Sequence, residues 1–325
     1  MTITPRNWRG LRPAKGPFVA TTDDIGALNE VFAEAFTDRY RRDGLTGVRV
    51  PPLNPAIWRY AIEDAGDGAL CWRDERNRIV AFNMVHHSGA EGWMGPLCVR
   101  PEYQGFGLGK TIVEAGQRWL EQHHVRVIGL ETMPRTMDNI GFYSGLGFVP
   151  GPLTITLTLD VHAESQTPVL LSRLTSVKRD AALEGCRALS ERVLPGYNFT
   201  RELELTERLE LGDTLLLGPT HAPVGFVLCH TAPLVEGRTK EELRVLKLVL
   251  SDRADLTTMI QHTSEHARRS GARRVAYRVQ GVYNDMYRTL VGMGARVRWT
   301  DLRMSVHGWS EKTPAAGLVL SNWEI

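Results

Sequence analysis

The chain is poor in cysteine, in lysine and in long apolar runs, and carries little excess of either charge. Four cysteines occur in 325 residues, at 71, 98, 186 and 229. None forms a C-x-x-C pair and none has a histidine at metal-ligand spacing, which argues against a disulfide framework and a thiolate metal site. They are expected to be reduced thiols filling a core. No stretch approaches the roughly 18 uninterrupted apolar residues of a membrane-spanning helix. The opening residues MTITPRNWRGLRPAKGPF lack the apolar stretch of a signal peptide. A soluble cytoplasmic chain with no membrane partner is the expectation. The 39 Lys+Arg against 37 Asp+Glu leave a formal charge of +2. That excludes a protein whose main task is gripping a nucleic-acid backbone. Only six of the basic residues are lysines, read as compositional bias rather than as a binding signal.

What is present is length and periodicity. At about 100–200 residues per domain, the chain is long enough for two domains with separate cores. Residues 1–17 read as a Pro/Gly/Arg-rich arm. In the first half, strands are expected at 18–21, 69–74, 78–87, 92–99, 126–131 and 153–160, and helices at 24–36, 56–65, 107–123 and 138–146. The second half follows the same plan. Strands are expected at 169–173, 214–217, 223–230, 242–250, 274–279 and 295–306, with helices at 180–193, 201–210, 255–270 and 283–292. A shift of 147 carries Ile128 onto Val275, Tyr143 onto Leu290 and Gly147 onto Gly294 without a gap, which reads as an internal duplication. The polar stretch 161–167 is the linker between units 18–160 and 168–306. Residues 307–325 form a tail in which 317–320 could add an edge strand.

The chemistry concentrates in 97–111, LCVRPEYQGFGLGKT. An apolar strand ends at Val99, the chain turns, and Gly105, Gly107 and Gly109 open a long amphipathic helix. Glycines let backbone N–H groups approach a ligand closely. A helix N-terminus adds unpaired donors and partial positive charge. The combination is an anion cradle suited to phosphate or pyrophosphate, to which Lys110 and Thr111 can add a charge and a hydroxyl. Two phosphate motifs fail here: a P-loop needs glycine where Gln104 stands, and a dinucleotide fingerprint needs it where Lys110 stands.

The spacing Gln104, Gly107, Gly109 resembles the acyl-CoA signature of the GNAT N-acyltransferase superfamily. So does the order of elements: the loop follows the fourth strand, and a later helix carries Tyr143 four residues before Gly147-Phe148. The resemblance covers 18–160. It implies a mixed α+β and α/β fold of two GNAT-like units, each a twisted, mostly antiparallel sheet flanked by helices and splayed between its fourth and fifth strands. It also implies acetyl-CoA, or another acyl-CoA, as co-substrate and no metal. Pantetheine would pair with backbone at Leu97, Cys98 and Val99. The pyrophosphate would sit on the loop Gln104, Gly105, Phe106, Gly107, Leu108, Gly109 and Lys110, with Thr111 beside it. Asn139 and Phe142 complete the expected CoA contacts, although Thr136 stands where the family often has Asn. Tyr143 would protonate the departing thiolate.

Attack requires a neutral amine, so a base or a water chain takes its proton. Glu131, ending the fifth strand, is the named candidate; Glu102, His86, His87 and Asp138 are rivals. Trp58, Trp72, Trp93 and Trp119 could line an acceptor pocket or fill the core. At the place matching the cradle the second half reads LVLSDRADLTT, without glycine. Leu290 replaces Tyr143 and Arg278 replaces Glu131. The second unit is therefore expected not to bind acyl-CoA productively. Its expected role is scaffold: completing the acceptor pocket or forming a homodimer face. The leading expectation is N-acetylation of a small-molecule or peptide amine. A regulatory acyl-CoA-binding module, or O-/S-acyl transfer or decarboxylation on the same fold, stays open.

Overall fold

The computed structural model describes residues 13–161 and 166–323. Most of the expected arm, part of the linker and the last two tail residues lie outside the described residues. The first half contains β1 (Lys15–Val19), α1 (Ile25–Arg42), α2 (Pro55–Ala65), β2 (Ala69–Arg73), β3 (Ile79–Ser88), β4 (Glu91–Val99), α3 (Leu108–Gln122), β5 (Val127–Thr132), α4 (Met137–Ser144) and β6 (Phe148–Asp160). The second half repeats the series as β7 (Val169–Leu170), α5 (Ser176–Val193), α6 (Thr200–Arg208), β8 (Gly212–Leu217), β9 (Gly225–His230), β10 (Glu242–Leu250), α7 (Leu256–Arg269), β11 (Arg274–Gln280), α8 (Asn284–Gly292) and β12 (Arg296–Val306). A further strand, β13 (Leu318–Ser321), follows.

Local chemistry accounts for the helices. Asn54 caps α2 by accepting from the Ala56 N–H at 3.0 Å, with Pro55 in the first position, where its missing N–H costs nothing. On α3, Ile112, Val113, Ala115, Gly116 and Leu120 form the buried face. Gly116 sets how closely that face approaches the sheet, since a Cβ there would lie 2.6 Å from Asn83 and Met94. Helix α1 runs to Arg42, beyond the expected end at 36. Its last turn has no apolar periodicity. Ion pairs at helical spacing hold it instead: Arg41 and Arg42 with Asp38, and Arg39 with Asp43.

The strands form a continuous sheet in the order β1-β2-β3-β4-β5-β12-β6-β11-β10-β9-β8-β7. The pairings are antiparallel except β4–β5 and β10–β11. The last strand of each half crosses to the other: β12 pairs with β5, β6 pairs with β11, and β6 and β12 pair with each other. Strand alternation specifies which face of a strand is buried but not its neighbour, so this exchange is invisible to periodicity.

Each parallel pair ends as a fork. β4 pairs with β5 from Glu91 to Met94, whereas Leu97, Cys98 and Val99 pair only with β3. β10 pairs with β11 from Glu242 to Arg244. Strand β13 is not the expected edge strand. It enters the second fork and pairs antiparallel with β10 over Lys247 to Leu250.

Candidate active site

The first fork opens into a cleft of about 540 Å³ between α1, the β4–α3 loop and α4. Gly107 stands just before α3 with φ +89°, and Gly105 has φ +84°. Neither has an atom within 4 Å of an added Cβ, so backbone conformation, not crowding, calls for glycine there. The loop is braced on the strand it leaves: the Gln104 side-chain amide donates to the Val99 carbonyl at 2.9 Å. The first amides of α3 lack intrahelical acceptors and lie beside the fork.

Of the expected CoA contacts, Leu97, Cys98, Val99, Gln104, Gly105, Gly107, Gly109, Lys110, Asn139, Phe142 and Tyr143 line this cleft. Phe106, Leu108 and Thr111 do not; they line an adjoining recess with Trp72 and Tyr103. The Thr111 hydroxyl donates to the Gly107 carbonyl at 3.3 Å. Lys110 reaches both spaces and is exposed, 3.6 Å from Glu114.

Tyr143 is buried, its ring centroid 5.1 Å from that of Phe142 and 5.9 Å from that of Phe148. Burial, and then the nearby Cys98, push its pKa well above that of a free tyrosine. It therefore holds its proton at neutral pH. Burial likewise raises the Cys98 thiol, which stays protonated.

Glu131 does not line the cleft, and its surroundings correct the expectation of a base. It is buried, accepts from Arg303 Nε at 2.8 Å and from the Thr154 hydroxyl, and pairs with Arg278. Burial pushes its pKa up, but Arg278 and Arg303 outweigh this and hold it below the ordinary value. A carboxylate clamped by two guanidiniums is a poor proton acceptor. Arg278 is the counterpart of Glu131 under the repeat, so equivalent positions of the two halves pair with each other.

Among the rivals, Asp138 alone lines the cleft; it is exposed and 3.6 Å from Arg39. His86 is buried against Trp93 and bonded through Nδ1 to Asp64 at 2.6 Å. His87 packs against Trp119 and His123. None of the four tryptophans considered lines the cleft, and Trp58, Trp72 and Trp93 are core residues. Sequence reasoning missed the wall contributed by α1: Ala35, Phe36, Asp38, Arg39 and Arg42. The i,i+3 and i,i+4 charge spacing around Asp38 was the available signal.

The second half has none of this apparatus. Its loop is short, with Asp252 accepting from the Ala254 N–H at 2.9 Å and Asp255 preceding α7. Two carboxylates stand where the first half presents bare amides. Leu290, in the place of Tyr143, is fully buried. Among the described residues no group of histidines, cysteines and carboxylates is placed to hold a metal, and no helix is long and apolar enough to cross a membrane.

Residues 29–148 match the family described as Acetyltransferase (GNAT) family. Over 130 residues the chain is 32% identical to serotonin N-acetyltransferase 2, chloroplastic, of Oryza sativa subsp. japonica, covering 40% of this chain and 58% of that protein. The chain spans about half the length of the curated relatives it matches. Its fold is similar to that of a Pyrococcus horikoshii protein described as a putative acetyltransferase, with TM-score 0.68 and 15% identity over 99% of this chain and 98% of that one. It is similar also to a tandem GNAT protein from the clavulanic acid biosynthesis pathway, with TM-score 0.59 and 13% identity over 90% of this chain and 98% of that one. At such identities these two likenesses are of fold.

Proposed function

We propose, from the match of residues 29–148 to the GNAT acetyltransferase family, a CoA-dependent N-acetyltransferase that moves the acyl group of acetyl-CoA directly onto a primary amine. The observation that carries the proposal is the open fork. The unpaired edge of Leu97, Cys98 and Val99 runs toward the glycine loop, with Tyr143 beside it in the same cleft. An extended pantetheine can pair with that edge while its pyrophosphate lies on the first amides of α3. The amine nitrogen forms the amide bond as the carbon–sulfur bond breaks. Tyr143 gives the sulfur its proton, and the amine's proton leaves to water or to Asp138 at the cleft wall. The acceptor placed first is an arylalkylamine, because the rice relative is named for serotonin and Phe36, Met133 and Phe142 supply an apolar wall. The second half serves as scaffold.

Calorimetry with acetyl-CoA, followed by mass spectrometry of an amine panel, tests this. The expected result is one acetyl-CoA bound per chain, and amide and free CoA formed in equal amounts. Binding without product across primary amines would leave a binding module. Absence of binding would overturn the reading.

A further inference from the structure

The second fork is filled by the protein's own chain. With Glu91 aligned to Glu242, Leu97, Cys98 and Val99 correspond to Leu248, Val249 and Leu250. In the first half that edge is unpaired on its β5 side. In the second, Leu318 stands opposite Leu250, Val319 opposite Val249, Leu320 opposite Leu248 and Ser321 opposite Lys247. All four β13 residues are buried. Leu318 and Leu320 pack with Leu250, Val279 and Leu290 in one core, and Val319 packs with Leu246 and Phe226 in another. A strand with both faces in core is an integral filling rather than a loose lid. Gly317 leads into it at φ +77°, where a Cβ would lie 2.2 Å from the Leu250 carbonyl oxygen.

The same segment continues into the first half. Lys247 Nζ donates to Ser321 Oγ at 2.7 Å, and Ser321 Oγ donates to Glu91 at 2.6 Å. Trp323 Nε1 donates to the other Glu91 oxygen at 2.8 Å. The Trp323 ring lies on Gly129, where a Cβ would come within 2.3 Å of it, and packs with Trp93 and Val127. The Arg303 guanidinium covers that ring at 3.9 Å. Trp93 and Gly129 are register partners one step before the first fork opens.

We propose that residues 318–323 are a resident peptide ligand of the second fork and a positioning element of the first. In this arrangement β13 occupies the groove that pantetheine would need, so the second half takes an extended peptide strand and not acyl-CoA. Trp323 is a positioning residue: it holds the last β4–β5 pairs in register where the cleft begins. The claim for Trp323 rests on the first fork being the acyl-CoA site; the claim for β13 does not.

Hydrogen exchange on the full-length chain, with and without acetyl-CoA, separates the two. Without ligand, the amides of 247–250 and 318–321 should exchange as one unit, at least a hundredfold more slowly than exposed loop amides. Acetyl-CoA should slow the loop 104–110 and leave 318–321 unchanged. Faster exchange at 318–321 on adding acetyl-CoA, or two acetyl-CoA per chain, would overturn the filling. In full-length Leu320→Ala, exchange at 247–250 should rise at least tenfold and fall again when a synthetic peptide of residues 317–323 is added. A folded variant that ignores the peptide counts against the groove. If Leu320→Ala fails to fold, Val319→Ala replaces it with the same two readings. For Trp323→Ala, the acetyl-CoA Kd should weaken about tenfold with kcat within twofold, and Trp323→Phe should recover most of the loss. An unchanged Kd with a lowered Tm would reduce Trp323 to packing. Because Kd needs no acceptor, failure to find an amine substrate leaves both results readable.

Discussion

The two halves share one plan and treat the same fork in opposite ways. The first leaves the β4–β5 fork open, borders it with glycines at positive φ and sets Tyr143 beside it. The second fills the β10–β11 fork with β13, starts α7 behind Asp252 and Asp255, and buries Leu290 where the tyrosine would stand. The open edge, the glycine-bordered helix start and the tyrosine of the first half have no counterpart in the second, and under the proposed function each absence would remove a different requirement of acyl transfer. The repeat has kept instead what holds the pair together. The exchanged strands β6 and β12 join the sheets, and the counterparts Glu131 and Arg278 neutralise each other in the interior.

The contrast is breakable, most severely at that shared ion pair. Arg278→Ala leaves Glu131 and Asp301 buried with less compensation and should cost about 3–5 kcal/mol in urea unfolding. A near-neutral result would show that the halves are not welded there. Next is Gly107→Glu. A side chain forced to φ +89° and a carboxylate aimed at pyrophosphate should weaken acetyl-CoA binding about a hundredfold, or ~2.7 kcal/mol by calorimetry. The matching change in the other half, Asp252→Ala, should leave Kd and stoichiometry as they were.

Tyr143→Phe should lower kcat about a hundredfold with acetyl-CoA affinity within twofold, while Leu290→Tyr should add no activity. An unchanged kcat and pH–rate profile in Tyr143→Phe would take the residue out of the chemistry. The smallest effect is expected where α6 packs on the first half. Burial, then Asp64, push the Glu202 carboxyl up to about 7. The folded state therefore keeps a proton that the unfolded chain releases, so stability is lost as pH rises from the ordinary carboxylate range through that value. In Glu202→Gln, the fall in Tm between about pH 5 and pH 8 should be shallower than in the natural chain. An identical slope would locate that pH dependence elsewhere.

Much of the candidate cleft's lining was legible because it is local. Gln104, Gly107 and Gly109 lie within six residues, and a strand end, a turn and a helix start are all marked by nearby residue types. Tyr143 was legible for the same reason, by its spacing to Gly147 and Phe148. Glu131 misled because its position at a strand end is local, whereas the arginines that disable it lie 147 and 172 residues away. The α1 wall was missed because its charged last turn lacks the apolar stripe by which helices are read. The tail strand was visible as a strand, but pairing partners are not encoded in the alternation of a four-residue run.

By itself, then, the sequence determined the elements, their duplication and the glycine loop of the first copy alone, since these follow from periodicity, turn chemistry and backbone freedom over a few residues. Only the tertiary structure decided which strands cross between halves, which carboxylate is neutralised and which fork stays open. Those outcomes depend on which distant edges and charges meet, and burial favours the arrangements in which backbone edges and charges inside the protein find partners.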